Sequence, residues 1–126
     1  MRLPKFRAFP KEVSHILCGM CEVNNIDLKD GFIEVFNPAK MGIPEVFPIE
    51  RFELLQFIDY RDRKYKEVYN GDILHSESGN LAIVKWRGGN HNGFVFVSLD
   101  NKRVFTKDCC WTVIGNIYEN PELLKQ

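Results

Sequence analysis

Apolar positions along this chain fall in short runs broken by Asn, Asp, Gly and Pro, with strand-like alternation and no sustained helical period. The clearest runs lie in the second half. Residues 81–86 (LAIVKW) and 94–99 (FVFVSL) predict strands, and short strands are expected at 104–106 and 111–116. Turn chemistry separates them: SESGN at 76–80, the Gly- and Asn-rich loop 87–93, and residues 100–102. Upstream, residues 56–75 (QFIDYRDRKYKEVYNGDILH) carry an apolar, β-prone segment into a charged loop at 59–67. The chain then returns through Asn70-Gly71 into a strand over 68–74.

The first half is looser. Residues 3–9 read as a strand ended by Pro10, and residues 13–23 as a strand, a bend near Gly19 and a further strand. Asn24-Asn25 and Lys29-Asp30-Gly31 predict turns, with a strand at 32–36. Residues 37–48, with three prolines, read as a connector, and residues 49–56 as a strand buried on both sides. At the end, Asn120 is a candidate cap and Pro121 a first position for one helical turn, PELLK. The pattern predicts a mainly β protein. An N-terminal β subdomain with its Pro-rich connector occupies residues 1–48, and a small antiparallel barrel closed by a helical turn occupies 49–126.

Composition narrows the function classes. The 126 residues are 44% apolar and 27% charged, an ordinary globular balance. Lys plus Arg equals Asp plus Glu at 17 each, so the basic excess of a dedicated nucleic-acid binder is missing. No apolar run is long enough for a membrane span, and no apolar stretch follows the N-terminal basic residues as in a signal peptide. The expected compartment is the cytoplasm, with the four cysteines reduced.

Three segments resemble the YopX family of phage and prophage proteins. Lys5-Phe6-Arg7-Ala8 stands in the place of that family's KFRAW opening. Gln56-Phe57, followed by the run from Lys66 through Glu67, Val68, Tyr69, Asn70, Gly71 and Asp72 to Ile73, is similar to its Q-[YF]-T-G-L-x-D-x-x-G-K-E-I-Y-E-G-D-[IV] pattern. VIGNIYENPELL at 113–124 reads like its usual ending. Ile58-Asp59 replaces a usual Thr-Gly and Lys64-Tyr65 a frequent Asn-Gly, which predicts a wider loop at 59–67. The resemblance implies an SH3-like barrel over roughly residues 52–117 and supplies no established activity.

Candidate chemistry is sparse. Cys18 and Cys21 have metal-ligand spacing, with His15 just before them and Cys109-Cys110 as a conceivable second half. An adjacent pair aims poorly at one ion, however, so inert thiols are expected over a zinc or redox site. Asp72, His75 and Ser76 lie close in sequence, yet Gly71-Asp72 opening a strand has a simpler structural role. His91 sits in a Gly/Asn loop, a poor support for a base. Leu123 and Leu124 are expected in the core, with partner docking as the alternative.

The surface favoured for interaction comprises Arg61, Arg63, Lys64 and Tyr65 in the charged loop with Lys85, Trp86, Arg87, His91 and Asn92 around one hairpin. Lys102, Arg103 and Lys107 lie along another. The expected function is a non-enzymatic phage or prophage accessory protein with no catalytic residues, cofactor or metal. It would bind a host or phage protein partner, or another copy of itself. A nucleic-acid-binding barrel and a zinc-stapled domain are the alternatives.

Overall fold

The computed structural model describes residues 5–12, 17, 19–38, 42–87, 93–107 and 110–125. Eleven strands and two short 3-10 turns make up the regular structure described, and the chain divides inside the fifth strand into two compact units, Met1–Gln56 and Phe57–Gln126. Among the described residues no helix is long and apolar enough to cross a membrane.

The first unit contains β1 (Phe6–Pro10), β2 (Cys21–Asp27), β3 (Phe32–Phe36), β4 (Pro44–Pro48), a 3-10 turn at Ile49–Arg51, and the start of β5 (Phe52–Arg61). They pair antiparallel in the order β4-β3-β2-β1-β5. Alternation sends Ala8, Cys21, Ile33, Val35 and Phe52 into one core, where Val23, Phe47 and Leu54 pack against them. The ring of Phe47 meets Phe52 edge-on at 5.7 Å.

Two expectations change here, and a third falls partly outside the described residues. Of the two strands expected in 13–23, residues 13–16 and 18 lie outside the described set, and the second begins at Cys21. Asn24-Asn25 is not a turn: both residues lie inside β2, where the pairing slips between Val23 and Asn25 and a bulge absorbs the extra residue. The turn comes at residues 28–31, where Gly31 takes φ 76° and the Asp30 N–H donates to Asp27 Oδ1 at 3.1 Å.

The Pro-rich connector also yields a strand, β4, because it sits at the sheet edge. Ile49 N–H donates to Gly31 O, so the odd-numbered residues of this segment face β3. Pro44, Val46 and Pro48 therefore point their backbone nitrogens outward. Only Val46 retains a donor, so the prolines cost the ladder nothing and blunt the edge against strand addition.

In the second unit the end of β5 pairs with β6 (Glu67–Tyr69). A five-stranded antiparallel sheet holds β7 (Asp72–Ser76), β8 (Leu81–Trp86), β9 (Phe94–Ser98), β10 (Val104–Phe105) and β11 (Trp111–Asn116), in the order β10-β9-β8-β7-β11. The closing 3-10 turn at Pro121–Lys125 matches the expected PELLK turn, with Leu123 half-buried but Leu124 exposed rather than in the core. Val68, Leu74, Ala82, Val84, Phe96 and Trp111 form the core, with Ile58, Tyr60, Phe94 and Phe105 packed around them. Phe96 meets Tyr60 at 5.3 Å and Trp111 at 5.7 Å, both edge-on, and the Trp111 indole N–H donates to Thr106 O at 2.9 Å.

The mainly β, antiparallel class is thus as the pattern predicts. Among the described residues, however, the ladders do not close into a barrel. β10 has only two residues and β11 pairs only with β7, so both end the sheet. What meets β11 is a loop: Arg63 N–H donates to Trp111 O at 3.0 Å, and Val113 N–H donates to Asp62 Oδ2 at 2.9 Å.

Candidate interaction surface

The loop between β5 and β6 is built on one carboxylate. Asp62 is only 4% exposed. Its Oδ1 accepts the Lys64 and Lys66 N–H groups at 2.8 and 2.9 Å, while Oδ2 takes Val113 N–H. Burial pushes this carboxyl up, but the backbone donors of Val113, Lys66 and Lys64, helped by the Lys66 charge, outweigh that and hold it below its ordinary value. Asp62 N–H donates to Lys66 O and Tyr65 N–H to Asp62 O, both at 2.9 Å, so the turn is tight rather than wide.

The departures from the family pattern explain how. Asp59 and Tyr65, at the two positions where the resemblance would place Gly, both take the left-handed backbone, at φ 59° and 64°. Asp tolerates this region; Tyr does so at a cost of about 1 kcal/mol. Tyr65 is also 82% exposed, so the strain holds an aromatic ring out in solvent. Tyr65→Gly is therefore expected to raise stability by no more than about 0.5 kcal/mol, relief of strain being largely offset by the greater freedom of Gly in the unfolded chain. A urea unfolding midpoint checks this.

The two halves of the expected surface do not come together. In the loop, Arg61 lies 3.5 Å from Glu67 and over the Phe57 ring at 5.7 Å, while Arg63 pairs with Glu77 in the β7–β8 turn. Lys64 and Tyr65 are exposed beside them. Lys85, Trp86 and Arg87 lie at the other end of β8 from that turn, about 17 Å along the strand. His91 and Asn92 lie outside the described residues.

Trp86 ends the inward-facing row that starts with Ala82 and Val84, but there the core runs out and the indole is 65% exposed. It meets Phe94 edge-on at 5.0 Å and rests on Gly93, where an added Cβ would lie 3.1 Å from the ring. Lys85 is exposed, and Arg87 donates to Asn101 Oδ1 at 2.8 Å, a neutral partner, with no carboxylate paired to it among the described residues. On the next hairpin, the Arg103 guanidinium lies over Phe105 at 4.9 Å and Lys107 Nζ is 5.9 Å from the Phe96 ring centre.

The remaining candidates serve the backbone. Asp72 is buried and its Oδ2 accepts the Tyr69 N–H at 2.9 Å. His75 points to the opposite face of β7 from Asp72 and Ser76 and is exposed, while Ser76 Oγ lies 3.0 Å from Ser78 Oγ and accepts the Asn80 N–H. The Cys21 thiol is buried and donates to Gly19 O at 3.3 Å, Cys110 packs against the second core, and His15, Cys18 and Cys109 lie outside the described residues. No three potential metal ligands cluster among the described residues.

The C-terminal pattern is a latch. Pairing slips between Val113 and Gly115, and Asn116 Oδ1 accepts the Tyr118 and Glu119 N–H groups at 3.0 and 2.8 Å. Asn120 Oδ1, expected as a helix cap, instead turns back to Asn116 N–H at 3.1 Å, and a Cβ on Gly115 would stand 2.5 Å from it.

Of the three segments that read as signatures, the first lies in β1 between β2 and β5, and the other two hold a turn, a bulge and a loop in place, in a small two-unit β scaffold. The chain belongs to the YopX family: the family model described as YopX protein matches residues 5–125. Among solved structures it is similar to the crystal structure of protein EF1440 from Enterococcus faecalis. The TM-score is 0.63 and the identity 22%, covering 98% of this chain and 99% of that one, a likeness of fold. No curated protein shows significant similarity to it.

Proposed function

We propose that this chain is a phage or prophage accessory protein that acts in the bacterial cytoplasm as a non-enzymatic protein-interaction module, with Trp86 as its anchor. The observation that carries the reading is an indole two-thirds exposed on a rigid strand end, flanked by Lys85 and Arg87. Trp and Arg dominate the energetics of protein interfaces, and a ring already fixed against Phe94 and Gly93 loses little freedom on binding. Two of the loop cations, Arg61 and Arg63, are matched by Glu67 and Glu77. Basic charge therefore does not run on from the loop to Trp86, and with 17 basic against 17 acidic residues the chain has no net excess for tracking phosphates, which favours a protein over a nucleic acid.

The test is capture from lysogenic or infected cells with the full chain and with Trp86→Ala. A protein retained by the wild type is expected to fall at least ten-fold with the variant, while the variant's unfolding midpoint stays near that of the wild type. Recovery of nucleic acid whose binding weakens steeply with salt, or of a protein indifferent to Trp86, would overturn the reading.

A further inference from the structure

The first unit carries a second surface of opposite chemistry, independent of Trp86. Pairing register sets two rows of side chains across the outer face of β2, β3 and β4. One row runs Asn25, Glu34, Val46; the next runs Asp27, Phe32, Pro48. This face lies opposite the one that sends Ile33 and Val35 into the core. Phe32 is 44% and Val46 59% exposed, and Phe36 on the same face is exposed as well. A groove of about 210 Å³, the size of one large side chain, opens between Asn25, Asp27, Phe32, Glu34 and Val46. Its charged lining is acidic, and no Lys or Arg contributes to it.

We infer that this face docks an apolar protein segment that places an Arg or Lys side chain in the groove between Asp27 and Glu34. The carboxylates supply the charge complement. The Asp27 Oδ1 atom accepts Asp30 N–H, and Glu34 Oε1 takes the Asn24 side-chain amide, which fixes each group and leaves its second oxygen to a cation. Phe32 and Val46 provide apolar walls for the stem of a long basic side chain. The prolines of β4 blunt the neighbouring edge, so the partner engages the face through side chains and does not add a strand.

The probe is the peptide acetyl-Gly-Leu-Arg-Leu-Gly-amide, titrated into the isotope-labelled full chain and followed by amide chemical shifts. Its citrulline and glutamate counterparts serve as controls. Shifts are expected at Asn25, Phe32, Glu34 and Val46, with the arginine peptide binding at least ten-fold tighter than either control. Asp27→Asn combined with Glu34→Gln keeps an oxygen for each internal hydrogen bond, so the spectrum is retained while the arginine preference disappears. Trp86→Ala leaves the binding unchanged, which separates this site from the one proposed above. Shifts confined to other residues, equal binding of the three peptides, or a preference that survives the double variant would each overturn the inference.

Discussion

Asp62→Ala is expected to lower the stability of the second unit by about 3 kcal/mol, because three backbone donors lose one buried acceptor at once. Two of those donors, Lys64 and Lys66, shape the β5–β6 loop; the third, Val113, belongs to β11 on the other side of the seam. Loss of the carboxylate therefore frees the loop from the sheet as well as loosening the turn. Asp62→Asn keeps one acceptor oxygen but places an amide N–H₂ where the other stood, for a cost of about 1–2 kcal/mol. Urea unfolding read by Trp111 fluorescence in a Trp86→Phe background measures both.

The pH dependence has a definite sign. The folded carboxyl lies below its unfolded value, so the unfolded chain binds the proton more readily. The stabilisation is fully present above the unfolded carboxylate pKa of about 3.9 and is lost as pH falls through the lower folded value. Both variants should lack this acid-range loss. An Asp62→Ala chain as stable as the wild type at neutral pH would show that the loop is held by other contacts.

This residue also marks where the sequence stops being legible. In the run from Asp59 to Glu67, Asp62 is one charge among many, and its burial follows from a contact to Val113, fifty-one positions away. Only the spacing of an Asx turn, Asp62 ahead of the N–H groups of Lys64 and Lys66, hinted at its role. The strands 81–86 and 94–99 were plain because each is a near-continuous apolar, β-prone run, with Ala82, Ile83 and Val84, and Val95, Phe96 and Val97, buried on both faces. By contrast, β4 was hidden because proline statistics describe interior strands, and an edge strand has spare positions for proline. The Asn pair in β2 misled for a related reason: residues that suit a turn also suit a bulge, and only the partner strand decides between them. The exposure of Trp86 could not be read from its strand, since its row points inward and the core simply ends before it.

Gly71→Ala is expected to cost about 2–3 kcal/mol, from two separable causes. Gly71 has φ 88°, a conformation that costs an L-residue about 1–2 kcal/mol. In addition, an added Cβ would lie 3.1 Å from Tyr118 Cε2 and 3.6 Å from Ile117 Cγ1. The backbone has no freedom to move away, because Gly71 N–H donates to Val84 O at 2.8 Å and Gly71 O accepts Ile117 N–H at 2.9 Å. One residue thus ties the start of β7 to β8 and to the C-terminal latch. The steric part is isolated by repeating the substitution in a Tyr118→Ala background, where its cost should fall by about 1 kcal/mol while the backbone part remains. If the cost is the same in both backgrounds, the ring is not what excludes a side chain. If Gly71→Ala is neutral in both, the turn has relaxed to negative φ and the Asn70-Gly71-Asp72 pattern is not explained by the backbone at all.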